Sequence, residues 1–301
     1  MRCVTICAAI AVGLALAVPA ARADWDVGDP HKMHFPQLPD PLGWDVAFAW
    51  MDTQTGQRMS NLLADDWQCS QTGPVNDVHF WVSMQGDFES SGQPPFQINA
   101  INVTFWNDDP ATAGIPDSYS MPDREAGAIR TYQLGPTEFS LGWWGPGPQQ
   151  GWFNPGTGQH VPPGGTTPDH LNIYQINIPD LREPFIQEQG KIYWLELDVW
   201  ATLPAGDPAI LGWKTADLLK YPPPHDGKHF QDDAVFMTYT WVPGDTMPGF
   251  WQFGGYQELI LPPDASGISR DLSFVITPEP ATLVLMGLGL GGLVLRRIRR
   301  K

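Results

Sequence analysis

The sequence predicts an all-β fold, a single jelly-roll-like β-sandwich with long loops rich in glycine, proline and tryptophan. Several stretches alternate apolar and polar residues with a period of two, which is the pattern of strands in a sheet. The chain also contains 31 prolines and 31 glycines, and turn residues spaced about ten residues apart are typical of a sandwich. Residues 24–277 are predicted to form this one domain, with about eight to ten strands.

Residues 191–201 give the clearest strand pattern. Tyr193 and Leu195 lie on the face that is expected to meet the core, whereas Glu196 and Asp198 alternate with them and are expected to face water. A helix does not produce such an alternation. The same period marks further strands within 78–83, 101–106, 173–178, 235–241 and 272–276.

Two segments are predicted to lack regular strands. Residues 24–63 are expected to form an extended arm and an irregular lead-in, because prolines between Gly28 and Pro41 interrupt any hydrogen-bond ladder. Residues 142–168 are dominated by glycine, proline and aromatic residues, too polar and broken for a core. We expect them to form long loops or an irregular hairpin on the surface.

The N-terminus has the three parts of a secretory signal peptide. Arg2 supplies the positive charge, residues 4–18 are nearly all apolar, and Ala21-Arg22-Ala23 is a small-x-small cleavage site. A transmembrane anchor is the alternative, but the apolar run is short and ends at Pro19. Residues 1–23 are therefore predicted to be removed, so that the mature chain starts at Asp24.

The C-terminus also has three parts. The triplet Pro278-Glu279-Pro280 precedes an apolar run, residues 281–295. As a helix this run spans roughly 22 Å, short of the ~30 Å hydrocarbon core, which favours a temporary anchor over a permanent one. A basic stop, expected to stay cytoplasmic, follows with Arg296, Arg297, Arg299, Arg300 and Lys301.

Residues 278–301 resemble the PEP-CTERM sorting signal of exported bacterial proteins, including the Ala281-Thr282 after the triplet. The resemblance implies that an exosortase-type protease recognises Pro278-Glu279-Pro280 and cuts nearby. It also implies transient anchoring in the inner membrane by the C-terminal helix, and then a location at the cell surface or in the extracellular matrix.

Several short pieces of the body form a characteristic series. In order they are Asp65-Asp66-Trp67, residues 78–81, residues 105–109 with Gly114-Ile115-Pro116, Tyr193-Trp194-Leu195, Gly212-Trp213-Lys214 and residues 271–274. In these pieces the body resembles exported bacterial sandwich domains that end in the same signal. This resemblance supports the fold and the destination and implies no particular activity.

Charge and cysteine content limit the function classes. Residues 24–277 carry 10 basic and 32 acidic residues, a net charge of −22, which repels phosphate backbones and excludes nucleic acid as a partner. Cys69 is the single cysteine left after signal removal. It is expected to be buried and inert, with pairing to another chain as the alternative.

The sequence contains no motif for nucleophilic catalysis, phosphate binding or zinc hydrolysis. We therefore expect a non-enzymatic exported protein of the cell surface or matrix, whose partner is extracellular polysaccharide or a surface protein. The alternative is a secreted carbohydrate-binding module or carbohydrate-active enzyme, because catalytic carboxylates need no local pattern.

Two groups of residues are candidate metal ligands. His225 and His229 are four apart, but the prolines before them and Gly227 argue against the helix that zinc binding would need, so a solvated loop is the competing interpretation. Asp108 and Asp109 are candidates for one weak structural Ca²⁺, or they cap turns. No other cofactor is predicted.

Three tryptophans in the glycine- and proline-rich segment are candidates for stacking on sugar rings: Trp143, Trp144 and Trp152. The alternative is that these rings fold back over the edge of the sandwich, which the cost of exposing aromatic clusters favours.

Overall fold

The computed structural model describes residues 25–26, 28–113, 115, 118–165, 169–216, 234–240, 255–262 and 271–277. Within these ranges every regular element is a strand, which confirms the all-β class. In chain order the strands are β1 (Trp44–Ala47), β2 (Ala49–Met51), β3 (Arg58–Gln68), β4 (Gly73–Pro74), β5 (Val78–Met84), β6 (Gln97–Asp109), β7 (Met121–Pro122), β8 (Arg130–Leu134), β9 (Ser140–Pro146), β10 (Gly151–Asn154), β11 (Gln159–Val161), β12 (Asn172–Ile178), β13 (Ile186–Gln187), β14 (Ile192–Thr202), β15 (Pro208–Ala209), β16 (Leu211–Lys214), β17 (Val235–Thr240), β18 (Gln257–Glu258) and β19 (Phe274–Ile276).

The first sheet has eight strands in the order β11-β10-β1-β16-β5-β12-β9, with β19 beside β5. Its neighbours are antiparallel except β1 and β10, which run parallel. One registered row crosses all seven strands of this path. The row consists of His160, Phe153, Val46, Trp213, Val82, Tyr174 and Trp143.

The second sheet has nine strands in the order β18-β17-β3-β14-β6-β7, with β2 beside β3, β15 beside β14 and β8 beside β6. Strands β4 and β13 form a separate pair. The predicted number of eight to ten strands was too low, since many strands of two to four residues accompany the long ones.

The two sheets pack face to face around an aromatic and aliphatic core. Trp67 of the second sheet meets Phe274 of the first with ring centroids 5.9 Å apart, and Tyr193 and Leu195 point into this core as the alternation predicts. Such edge-to-face aromatic contacts add to the apolar area that the sandwich removes from water.

The outer face of the second sheet is covered too, so one expectation is wrong. Glu196 and Asp198 are 3% and 1% exposed instead of facing water. Tyr256 donates a hydrogen bond to Glu196, and Arg58 lies 3.7 Å from Asp198. A second apolar cluster surrounds this face, with Trp106, Trp194, Met237 and their neighbours.

The N-terminal arm forms no strand of its own and is hydrogen-bonded to both sheets. The amide of Lys32 donates to Ile276 O over 2.7 Å, and the amide of His34 donates to Gln68 O over 2.7 Å. The irregular lead-in predicted up to residue 63 is wrong from Trp44 onward, because β1, β2 and half of β3 lie there. Cys69 is buried, as expected.

The segment 142–168 differs in part from its prediction. It contains a hairpin, formed by the antiparallel strands β10 and β11. It does not lie only on the surface, however, since it also supplies most of β9, and β10 is buried over its whole length. Phe153 of β10 faces the core and Trp152 faces the opposite side, so both faces of this short strand are covered. A strand buried on both faces shows no alternation in its sequence.

Candidate functional site

Two hairpin turns meet at one end of the sandwich and enclose a cleft of about 890 Å³. One turn joins β2 to β3 and the other joins β10 to β11. Trp50 and Asp52 line the cleft from the first hairpin, Asn154 and His160 from the second, and Gln85 from the loop after β5. The cleft is thus built from both sheets.

The first turn is fixed by Asp52. Its carboxylate accepts hydrogen bonds from the amide of Gln54 at 2.9 Å and the hydroxyl of Thr55 at 2.6 Å. These bonds, led by that of Thr55, hold the pKa of Asp52 below its usual value. Gly56 closes the turn at φ 67°, in the left-handed region that glycine adopts without strain. Asp52 is therefore a charged group at a set position on the rim.

The second turn repeats this geometry. Asn154 Oδ1 accepts from the amide of Gly156 at 3.1 Å, and the amide of Gly158 donates to Asn154 O at 2.8 Å. A Cβ on Gly156 would overlap the ring of Trp50. The absence of a side chain at Gly156 therefore lets Trp50 pack on this turn, which brings the two hairpins together.

The lining combines aromatic rings with polar side chains, and Asp52 is its acidic member. Trp50 is partly exposed, and His160 and Gln85 are exposed. Amide and imidazole groups donate and accept hydrogen bonds, and aromatic faces offer flat apolar contact. Among the described lining residues none is lysine or arginine. Such a lining suits an uncharged ligand with many hydroxyl groups.

A buried charge network lies beneath Trp152, whose indole packs edge-on to His170 with centroids 5.8 Å apart. Lys214 Nζ and His170 Nε2 lie 2.8 Å and 2.9 Å from the same oxygen of Asp45. Burial disfavours the charged form of each group. The neighbouring Lys214 and His170 nevertheless lower the pKa of Asp45, and Asp45 together with Asp169 raises the pKa of His170. All three side chains are inaccessible, so the network supports the floor of the cleft and does not touch a ligand.

Comparison with known proteins gives a family for the body and a motif for the tail. Residues 33–277 match a family described as a domain of unknown function (DUF7901). The chain belongs to this family. Residues 277–300 match the PEP-CTERM protein-sorting motif, which confirms the resemblance of the tail. No curated protein and no solved structure matches the chain.

The sorting motif defines the route of this DUF7901 protein. It marks an exported protein that passes the membrane and is processed by an exosortase-type protein. Ala21, Ala23, the triplet Pro278-Glu279-Pro280 and the basic stop lie outside the described residues, as do His225 and His229. Within the described ranges no helix is long and apolar enough to cross a membrane.

The structure separates the three predicted stacking tryptophans of the DUF7901 domain. Trp152 is 3% exposed and offers no free face. Trp144 is partly buried and packs edge-on to Trp81 at 6.4 Å between centroids. Trp143 is 50% exposed. They form no common platform, because Trp152 is buried and the consecutive residues Trp143 and Trp144 point to opposite faces of β9.

The candidate calcium ligands lie at the end of β6. Asp108 accepts a hydrogen bond from Trp194 Nε1 at 2.9 Å, and Asp109 is exposed. In the described part of the chain no three His, Cys, Asp or Glu side chains are grouped so as to hold a metal ion. The calcium site stays a prediction.

Sequence reasoning missed the residues that build the cleft, although a signal for them exists. Both turns contain Thr-Gly-Gln, at residues 55–57 and 157–159, each three residues after an Asp or Asn. In both, the threonine hydroxyl accepts from the glutamine amide at 3.3 Å. The repeat identifies two equivalent turns, whereas nothing in the sequence indicates that they meet.

Proposed function

We propose that this DUF7901 protein is a non-enzymatic component of the cell surface or extracellular matrix that holds uncharged extracellular polysaccharide in the cleft. In this proposal residues 1–23 direct export and residues 281–295 anchor the chain transiently in the inner membrane. The exosortase-type protein then acts near Pro278-Glu279-Pro280. The body reaches its site of action outside the cell, where polysaccharide is the abundant polymer.

The observation that carries the proposal is the chemistry of the cleft. Trp50 supplies an aromatic surface, and Gln85, Gln159 and His160 supply donors and acceptors around it. A sugar ring has an apolar C–H face and a rim of hydroxyl groups, so it needs both kinds of contact. A volume of about 890 Å³ is within the range of ligand sites, which runs to roughly 1,000 Å³.

The charge distribution supports an uncharged polymer over an acidic one. The body has a net charge of −22, and Asp52 keeps its charge on the rim of the cleft. A polysaccharide with carboxylate or sulfate groups would be repelled by this field. We therefore assign neutral chains to the cleft.

The carboxylates support binding over hydrolysis. Glycosidases act through two carboxyl groups placed roughly 5 to 10 Å apart across the scissile bond. Asp52 is the acidic member of the described lining, and its hydrogen bonds keep it ionised. Hydrolysis by a carbohydrate-active enzyme is the competing outcome of the experiment below.

The test is retention on insoluble polysaccharides together with release of reducing ends. We expect the native chain to be retained on neutral polymers without releasing reducing ends. The double variant Gln159→Ala, His160→Ala should be retained about tenfold more weakly. The exposed control Gln189→Ala should be retained as well as the native chain. Both cleft residues are exposed, so folding should not change. Release of reducing ends would contradict the proposal in favour of an enzyme, and equal retention of all variants would exclude the cleft.

A further inference from the structure

Trp143 is an exposed ring that the fold holds in one orientation. Its Nε1 donates to Asn172 Oδ1 at 3.0 Å. Asn172 is itself fixed, because its Nδ2 donates to Asp87 Oδ2 at 3.1 Å and to Glu89 O at 2.7 Å. Tyr174 donates to the same Asp87 oxygen at 2.7 Å. The indole is therefore oriented before any ligand arrives.

One face of this indole is covered and half of the residue remains exposed. A Cβ on Gly92 would lie 3.2, 3.3 and 3.5 Å from Cδ2, Cγ and Cε2 of Trp143, so Gly92 lies over the face of the ring. Gly92 has φ 67°, which also favours glycine. An indole packed on one face and 50% exposed leaves on the order of 100 Å² of aromatic surface to solvent.

The loop that covers Trp143 also borders the cleft. Gln85 lines the cleft, and the same loop reaches Gly92 seven residues later. Val82, Tyr174 and Trp143 are neighbours in one registered row. With strands about 4.8 Å apart and about 3.3 Å per residue along the chain, ideal sheet geometry separates the Cα atoms of Trp143 and Gln85 by roughly 14 Å. The two contacts are within reach of one extended polymer.

We propose that Trp143 is the outermost sugar contact of the cleft, so that the protein selects long uncharged polysaccharide chains over short oligomers. A chain that fills the cleft leaves it at Gln85 and stacks a distal sugar on the open face of Trp143. This inference rests on the proposed function, since it concerns the same ligand class.

The geometry favours a sugar over a protein as the occupant. A stable protein interface needs about 800 Å² on each partner. Among the described residues, the large apolar side chains exposed on β9 and the loop that covers it are Trp143 and Phe88. One pyranose ring needs a single aromatic face. A second copy of this acidic chain would in addition be repelled by its charge.

The experiment measures affinity against oligomer length. The full chain, purified in detergent, is titrated with uncharged glucan, xylan and mannan oligomers from dimer to decamer. We expect the affinity of the unmodified chain to rise about tenfold once the oligomer is long enough to reach Trp143. Trp143→Ala should bind short oligomers equally well and lack this rise, and the exposed control Ile186→Ala should retain it.

A second readout needs no variant. Oxidation of Trp143 by N-bromosuccinimide, followed by mass spectrometry, should be slowed by long oligomers and not by short ones. Unchanged length dependence in Trp143→Ala, or equal protection at all lengths, overturns this inference and leaves the proposed function standing. A Trp143→Ala variant that loses self-association but binds oligomers unchanged would also overturn this inference. Absence of binding by the unmodified chain overturns both.

Discussion

Glu196 is a carboxyl group that the fold removes from water on the outer face of the second sheet. Burial raises its pKa to about 7, against the opposing hydrogen bond from Tyr256 and the charge of Arg124. The nearby charge of Asp198 also raises the pKa of Glu196, by less than burial does. The folded state therefore takes up a proton that an unfolded chain releases near pH 4.5.

We predict that Glu196→Gln flattens the pH dependence of stability. The folded state binds more protons than the unfolded state between pH 4.5 and about 7, so the free energy of unfolding of the native chain falls as the pH rises through this window. A shift of this size corresponds to roughly 3 kcal/mol. Chemical denaturation should show the variant more stable than the native chain above pH 7 and little different below pH 4.5.

The exposed Glu125→Gln is the control and should leave the profile unchanged. His170 also makes stability depend on pH, because Asp45 and Asp169 raise its pKa from 6.5 in spite of burial. Its contribution is fully present below pH 6.5 and is lost as the pH rises through the raised pKa of folded His170, so Glu196→Gln should leave a decline in stability above pH 6.5. Identical profiles for Glu196→Gln and the native chain would show that Glu196 is not protonated in the fold.

At the scale of elements, the cleft depends on two hairpin turns that touch through Trp50 and Gly156. The turns belong to different sheets, and β10 reaches its place by a parallel pairing with β1. The amide of Asn61 in the second sheet bridges them further, with bonds to Ala47 O at 2.7 Å and Asn154 Oδ1 at 3.3 Å. This contact gives the cleft its shape.

We predict that Gly156→Ala destabilises the protein by about 1 to 3 kcal/mol, because its methyl group overlaps the Trp50 ring and forces the turns apart. The cost should be clearly smaller in a Trp50→Ala background, where the overlap with the ring is gone and only the contact with Asn61 Oδ1 at 2.9 Å remains; a double-mutant cycle by denaturation measures the difference. Gly145→Ala, where a Cβ meets nothing within 4 Å, is the matched control. Equal costs of Gly156→Ala in both backgrounds would show that the turns do not meet through this pair.

Strand β14 could be predicted from the sequence and β10 could not. Eleven residues with alternating side chains fix the inner face of β14, including Tyr193 and Leu195. The outer face was misjudged because the partner of Glu196 comes from Tyr256, 60 residues away. Four residues of β10 carry no period, and the burial of Trp152 depends on His170 from another part of the chain. Local pattern thus predicts long strands, whereas the cleft and its floor arise from contacts distant in sequence.

At the scale of the molecule, the folded body and the sorting motif adjoin each other without a linker. The closing strand β19 ends at Ile276 beside Val78 of the first sheet, and the amide of Thr277 donates to Asp77 O at 3.1 Å. The sorting motif begins at residue 277. Glu279 follows β19 by three residues in the sequence. The sorting motif therefore begins where the folded body ends.

Because the triplet follows the closing strand in the sequence, one substitution in it can change processing without changing the fold. We predict that Glu279→Gln abolishes processing, because it removes the charge of the triplet and leaves its shape and the sheet unchanged. Mass spectrometry of protein isolated from the producing cells should then find residues 281–301 still attached and the chain in the membrane fraction, whereas the native chain and the control Glu125→Gln lack the tail. Thermal unfolding should be equal for all three, since Glu279 lies outside β19, the last strand of the described residues. Processing of Glu279→Gln at the native rate would show that the protease does not recognise the charge of the triplet. The basic stop would then be the next part of the signal to replace.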